Sequence, residues 1–278
     1  MRARLLLLFA LGCSEKVRLP GEVPEADPTR SWLRLLKRAA PDGGVRGVDY
    51  AVMERRRDTL QRYLRWVGAH GPELDGLSEG RENKRMAFMM NAYNAAVIEG
   101  VLRHQPIESV RDVGGWPWSV RPGAGFFVGQ RFRVDGDWQT LYLLEVQDII
   151  GRYQEPLLHV GLNCASRGCP PVRGWDDKDL KEDLEDHLVD WLAADGLVCD
   201  AGGCAANAIF DWYRDDFLDW SEAENLCQYL EPFAQGDERE WLLLHHADCP
   251  LQFQEYDWSL NALLPEEGGD DAAPSGRL

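Results

Sequence analysis

Apolar residues recur at intervals of three and four along much of this chain, and the spacing predicts a body built mainly from amphipathic helices. Trp32, Leu33, Leu35 and Leu36 form one such stripe over 32–40, which Pro41 and the Gly43-Gly44 pair bring to a stop. Leu60, Leu64 and Val67 share a face of a helix expected over 52–67, with Arg55, Arg56, Arg57 and Asp58 on its wet side. The strongest stripe covers 82–102, through Phe88, Asn91, Ala92, Ala95, Ile98 and Leu102. Further helices are expected over 143–152, 178–194, 212–220, 222–233 and 238–245. Period-two or short apolar runs predict strands at 126–130 and 131–134, turning at Asp135-Gly136-Asp137 into 138–141, and again at 208–211 and 251–256. Residues 45–50 read as briefly extended and 109–118 as loop. Val160 and Leu162 predict a buried strand beginning at His159. The expected fold is α+β: one domain over 29–264, helices packed around a small, mainly antiparallel sheet that includes the His159 strand, with a cysteine-protease-like architecture entertained by analogy alone.

The ends depart from this pattern. Arg2 and Arg4 before the apolar run Leu5 to Leu11 resemble a secretory signal over 1–12, too short to span a bilayer. Cys13 would follow as a lipidated N-terminus, although Ala10 stands where such processing sites usually carry leucine. Residues 13–28 would then form the lipidated start and a polar tether, and 265–278 a disordered acidic tail. This predicts an exported lipoprotein of the periplasm or outer envelope, in contact with the membrane only through its N-terminal lipid.

A formal charge of -17 and a pI near 4.8 disfavour nucleic acid and anionic membrane surfaces as partners. An unidentified small molecule or protein is the expected partner, and no cofactor is expected. Beyond Cys13, cysteines stand at 164, 169, 199, 204, 227 and 249, an even set suited to disulfides in an exported chain. Cys199 and Cys204 flank Asp-Ala-Gly-Gly, a natural hairpin turn, and Cys164 and Cys169 are the other local candidate pair. No metal is expected, because C-x4-C is looser than the usual C-x2-C and no histidine stands at a ligand-like interval.

Chemistry concentrates between His159 and Val172, where Asn163, Cys164, Ser166 and Arg167 place an amide, a thiol, a hydroxyl and a guanidinium within one turn before Pro170-Pro171. In one reading Cys164 is the nucleophile of a hydrolase or acyl transferase, with Asn163 or loop amides as oxyanion donors and His159 as the base. Along an extended strand those five positions span about 16 Å with opposite parity, which separates His159 from Cys164 unless the chain folds back near Gly161. In the other reading the cysteines are oxidised and the module binds a ligand or protein, with Trp116, Trp118, Trp212 and Trp258 suiting an apolar groove. Thiol redox chemistry is weaker, since the C-x-x-C spacing is absent. Asn91 and Asn94, one turn apart on an apolar stripe, are expected to brace a neighbouring loop through their amides. His187 reads as a surface or packing residue.

Five segments in order carry a resemblance: Gly47-Val48-Asp49-Tyr50, Ala87 to Ala95, His159 to Val172, Ile209 to Tyr213, and Tyr256 to Asn261. Together they resemble the DUF547 family, a domain of unknown function in exported bacterial proteins and in plant proteins with a coiled coil. The resemblance implies a single domain and matches at Asn91, Tyr93, Asn94, His159, Cys164, Cys169, Pro170, Pro171, Asp257 and Asn261; Arg152 and Arg167 are further candidate binding residues. One departure accompanies it: where relatives carry Ile-Glu-His, this chain reads Val146-Gln147-Asp148. If that pair moves protons in the family, this chain lacks it.

Overall fold

The computed structural model describes residues 14–45, 47–72, 79–114 and 121–263. The expectations for 1–12, Cys13, Trp116, Trp118 and the 265–278 tail lie outside them. Among the described residues no helix is long and apolar enough to cross a membrane.

The helix Glu79–His104 is the axis of the molecule, and from Met89 to Gly100 every residue is buried. A helix enclosed on all sides carries no wet face, so its polar residues need partners inside the protein. Glu99, fully buried, receives Arg57 in a two-pronged ion pair (Nε–Oε2 3.1 Å, Nη2–Oε1 2.9 Å) and a third bond from Gln61. Arg57 reaches it because the helix expected over 52–67 breaks at Arg56 into Tyr50–Arg55 and Arg57–Ala69, the first capped by Asp49. Arg55 and Arg56 remain on the solvated face; Arg57 does not, and Glu99 holds its guanidinium above the ordinary value. Thr29–Ala39 packs behind, with Trp32 stacked on Tyr63 at 5.5 Å.

The fold is α+β, with helices around two small mixed sheets. In one, β2 (Gln130–Val134) and β3 (Asp137–Thr140) form an antiparallel hairpin, and β1 (Glu15–Lys16) runs parallel to β2. In the other, β4 (Leu197–Asp200) pairs antiparallel with β5 (Gly203–Ala206), and β6 (Gln252–Phe253) lies parallel to β5. Neither sheet contains His159, and this arrangement gives no support to a protease-like architecture. Residues 126–130 do not begin a strand, because Ala124–Phe127 is a helical turn, and 208–211 belongs to the turn Ile209–Trp212, separate from Arg214–Asp219. In 222–233 the helix starts late, at Leu226, where Asn225 caps it. Residues 45–50 supply only the Val48 bridge to Ala262 before Tyr50 opens a helix.

Three disulfides join Cys164 to Cys169, Cys199 to Cys204, and Cys227 to Cys249. The segment 254–263 crosses the molecule and ties its parts together. Val48 N–H donates to the Asn261 carbonyl, Arg167 N–H to that of Ser259, and Gly168 N–H to that of Asp257. Gly47 permits this crossing: its φ is +101°, and a Cβ there would stand 2.5 Å from the Asn261 carbonyl oxygen.

Candidate functional site

His159 is not on a strand. Leu158–Gly161 is a single helical turn after Pro156, buried throughout, and the chain becomes extended only at Leu162. Its apolar residues alternate over too few positions to separate a strand from one turn of an enclosed helix. The helical turn changes the geometry, since it shortens the path from His159 and lets both His159 and Cys164 line one cavity of about 430 Å³.

The thiol loop follows. Asn94 Oδ1 accepts the Asn163 N–H at 3.0 Å, and its amide donates to the Gly161 carbonyl at 3.1 Å. Asn91 clasps Trp175 through backbone N–H and carbonyl alike. Asn163 ties the loop to itself, with Nδ2 donating to the Pro170 carbonyl and Oδ1 accepting from Ala165 N–H and Asn261 Nδ2. These bonds hold Ala165, a buried non-glycine residue, at φ 63°, a left-handed conformation that its surroundings must impose. Both Asn163 amide atoms are thus committed to the loop.

At the cavity wall Cys164 Sγ is bonded to Cys169. The hydroxyls of Ser166 and Tyr256 lie 2.9 and 3.1 Å from Cys164 Sγ and 2.8 Å from each other. Gly168 admits the tyrosine, because a Cβ there would meet the Tyr256 ring at 2.8 Å. Tyr256, Trp212 and Trp258 then form one aromatic wall, with ring centroids 4.6 to 5.9 Å apart. Tyr142, Glu145 and Val146 line the same cavity. The last two stand in a π-helical stretch, Leu144–Ile150, a widened turn of the kind that often re-aims side chains at sites. Tyr93 donates to Glu145 Oε2 at 2.5 Å. Burial pushes the Glu145 carboxyl above the usual carboxylate range, and the Tyr93 bond opposes that shift. Burial likewise pushes the phenols of Tyr93, Tyr213 and Tyr256 upward, so all three stay protonated at neutral pH.

His159 stacks on Tyr213 at 4.2 Å, and its Nε2 faces Asp216 Oδ2 at 3.0 Å. Burial drives its pKa down to about 3, so the ring is neutral at pH 7 and Nε2–H donates to Asp216. His187, edge-on to Trp175, is also buried and pushed down to about 4.

Other residues singled out from the sequence are elsewhere. Arg167 donates to the Ala262 carbonyl, and Asn261 accepts from the Tyr50 hydroxyl at 2.7 Å; both line a smaller polar recess behind the loop. Asp257 accepts twice from Ser259, which holds its carboxyl below the usual value. Arg152 is exposed over the Tyr153 ring, and Gln147 is exposed; neither these nor Asp148 lines the cavity. Glu145 and Asp216 were not legible as site residues. The available signal was a lone acid in an apolar run, Leu143-Leu144-Glu145-Val146. Among the described residues no group of three or more potential ligands could hold a metal ion.

Residues 77–192 match the family model described as a protein of unknown function, DUF547. That match spans the axial helix, Glu145 and the thiol loop, but leaves out Trp212, Tyr213, Tyr256 and Trp258, which complete the cavity. No curated protein and no solved structure matches the chain.

Proposed function

We propose that this protein is a ligand-binding module rather than a cysteine enzyme, and that the aromatic cavity receives a small molecule. The observation that carries the reading is the Cys164–Cys169 bond in the cavity wall. A cysteine nucleophile must be a free thiolate, and a disulfide sulfur only accepts hydrogen bonds. The volume, about 430 Å³, lies in the range of small-molecule sites, and a mainly apolar lining rich in aromatic residues suits one too.

Native full-length protein treated with iodoacetamide without reductant tests the reading. No label at Cys164, and an intact mass reduced by the hydrogens lost on oxidation, are expected; rapid native labelling of Cys164 overturns it. The three disulfides also suit an oxidising compartment, which supports export as part of this proposal; lipidation at Cys13 rests on the sequence around it. Radiolabelled fatty acid fed to a bacterium expressing the chain is expected to mark wild type and not Cys13→Ser. Equal labelling of both overturns the anchor.

A further inference from the structure

We infer that the ligand of this cavity is an organic cation, a substituted amine or quaternary ammonium group seated between Glu145 and the aromatic wall; the inference rests on the binding-module reading above. Three observations converge. First, Glu145 is the acidic residue of the lining, and among the described residues its hydrogen-bond partner is the neutral Tyr93 hydroxyl, with no cation paired to it. A partly buried carboxylate without a counter-ion is costly to desolvate, and an ammonium beside it offsets that cost. Second, aromatic residues share the lining with Glu145, and one of them, Trp258, already carries a cation, Arg111, over its ring at 5.1 Å. Tyr256, Trp212 and Trp258 make a continuous surface, and the Glu145 charge also reaches Tyr93, Tyr213 and Tyr256. Ring faces around a carboxylate attract a diffuse cation and hold an anion poorly. Third, a protein of charge -17 draws cations toward it at long range. Arg121 belongs to the lining but is exposed, and burial holds His159 neutral at pH 7.

Choline and its neutral isostere 3,3-dimethyl-1-butanol, titrated calorimetrically into the full chain, separate charge from shape. Choline is expected to bind about tenfold more tightly than the alcohol, a difference of about 1.4 kcal/mol. Glu145→Gln, which can still accept from Tyr93, is expected to remove most of that difference. Trp212→Leu, at a half-exposed position where folding is least at risk, is expected to weaken choline and leave the alcohol unchanged. Equal affinities in wild type, or a preference for the alcohol, overturn the cation and leave the binding module standing. Binding of neither probe by protein whose Cys164 is unreactive overturns the cation as well. Binding of neither, with Cys164 freely alkylated, overturns both.

Discussion

Cys164–Cys169 and Cys199–Cys204 are each bonded across five positions, yet they sit in different surroundings. The second pair joins residues already opposite one another across β4 and β5, so the ladder sets the geometry and the sulfurs follow. The first closes an irregular loop whose shape comes from side-chain amides, Asn163 within it, Asn94 from the axial helix and Asn261 from a distant segment. Loop-closure entropy depends on spacing and gives both bonds about 2 kcal/mol. Any measured difference between them therefore reports on the surroundings: the first pair stands in the wall of the aromatic cavity, and Cys204 of the second borders a separate recess along β4 and β5.

The largest expected effect breaks the loop and spares the hairpin. Asn163→Ala strands the Pro170 carbonyl, the Ala165 N–H and the Asn261 amide, and should cost about 3 kcal/mol in urea denaturation, as several unsatisfied buried groups do together. Next, Cys164→Ser with Cys169→Ser should lose about 2 kcal/mol and also bind cavity ligands more weakly, whereas Cys199→Ser with Cys204→Ser should lose a similar amount and bind normally. Equal binding by the two double variants would erase the distinction.

Acid is expected to separate the regions as well. The two buried histidines, His159 and His187, lie beside the cavity and behind Trp175, and both have folded-state values below the ordinary 6.5. Below pH 6.5 the unfolded chain therefore binds more protons than the folded one, so stability is full above 6.5 and falls as pH drops toward 4 and 3. The raised carboxyls of Glu145 and Asp216 work in the opposite sense, so the useful quantity is a difference between variants. His187→Gln should flatten the decline from pH 7 to pH 5 by about 2 kcal/mol, measured by denaturation at both values. The smallest effect belongs to the hairpin turn, where Asp200 accepts from Gly202 N–H at an exposed site. Asp200→Ala should cost under about 1 kcal/mol; a cost equal to that of Asn163→Ala would undo the comparison.

The same contrast explains what the sequence made legible. Cys199-Asp-Ala-Gly-Gly-Cys204 declares its hairpin because turn residues and strand pairing are local, and the long helices declare themselves by periodicity. The buried amides of Asn91 and Asn94 stood out because asparagine is out of place on an apolar stripe. The helical turn carrying His159 did not, since an enclosed turn and a short buried strand have the same composition. Nor did the turn at Ile209, whose start is marked only by Asn207 accepting the Ile209 N–H. Arg57 looked like one of three wet arginines because the break at Arg56 and the burial of Glu99 are tertiary facts. Of the cavity only Trp212 and Trp258 were legible, as candidates for an apolar groove; its closure by Tyr93, Glu145, His159 and Tyr256 was hidden because these come from separate segments.

The crossing of 254–263 has a consequence for the order in which the protein is made. Asn261 lies 98 positions after its partner Asn163, so at about 5–20 residues per second the ribosome needs roughly 5–20 s to supply it. During that interval the nascent chain already carries Cys164 and Cys169, while Tyr256, which later covers them, does not yet exist. A chain released before residue 254 would present both sulfurs and the Glu145 carboxyl with Trp212 but without Tyr256 and Trp258, so the cavity is a property of finished synthesis.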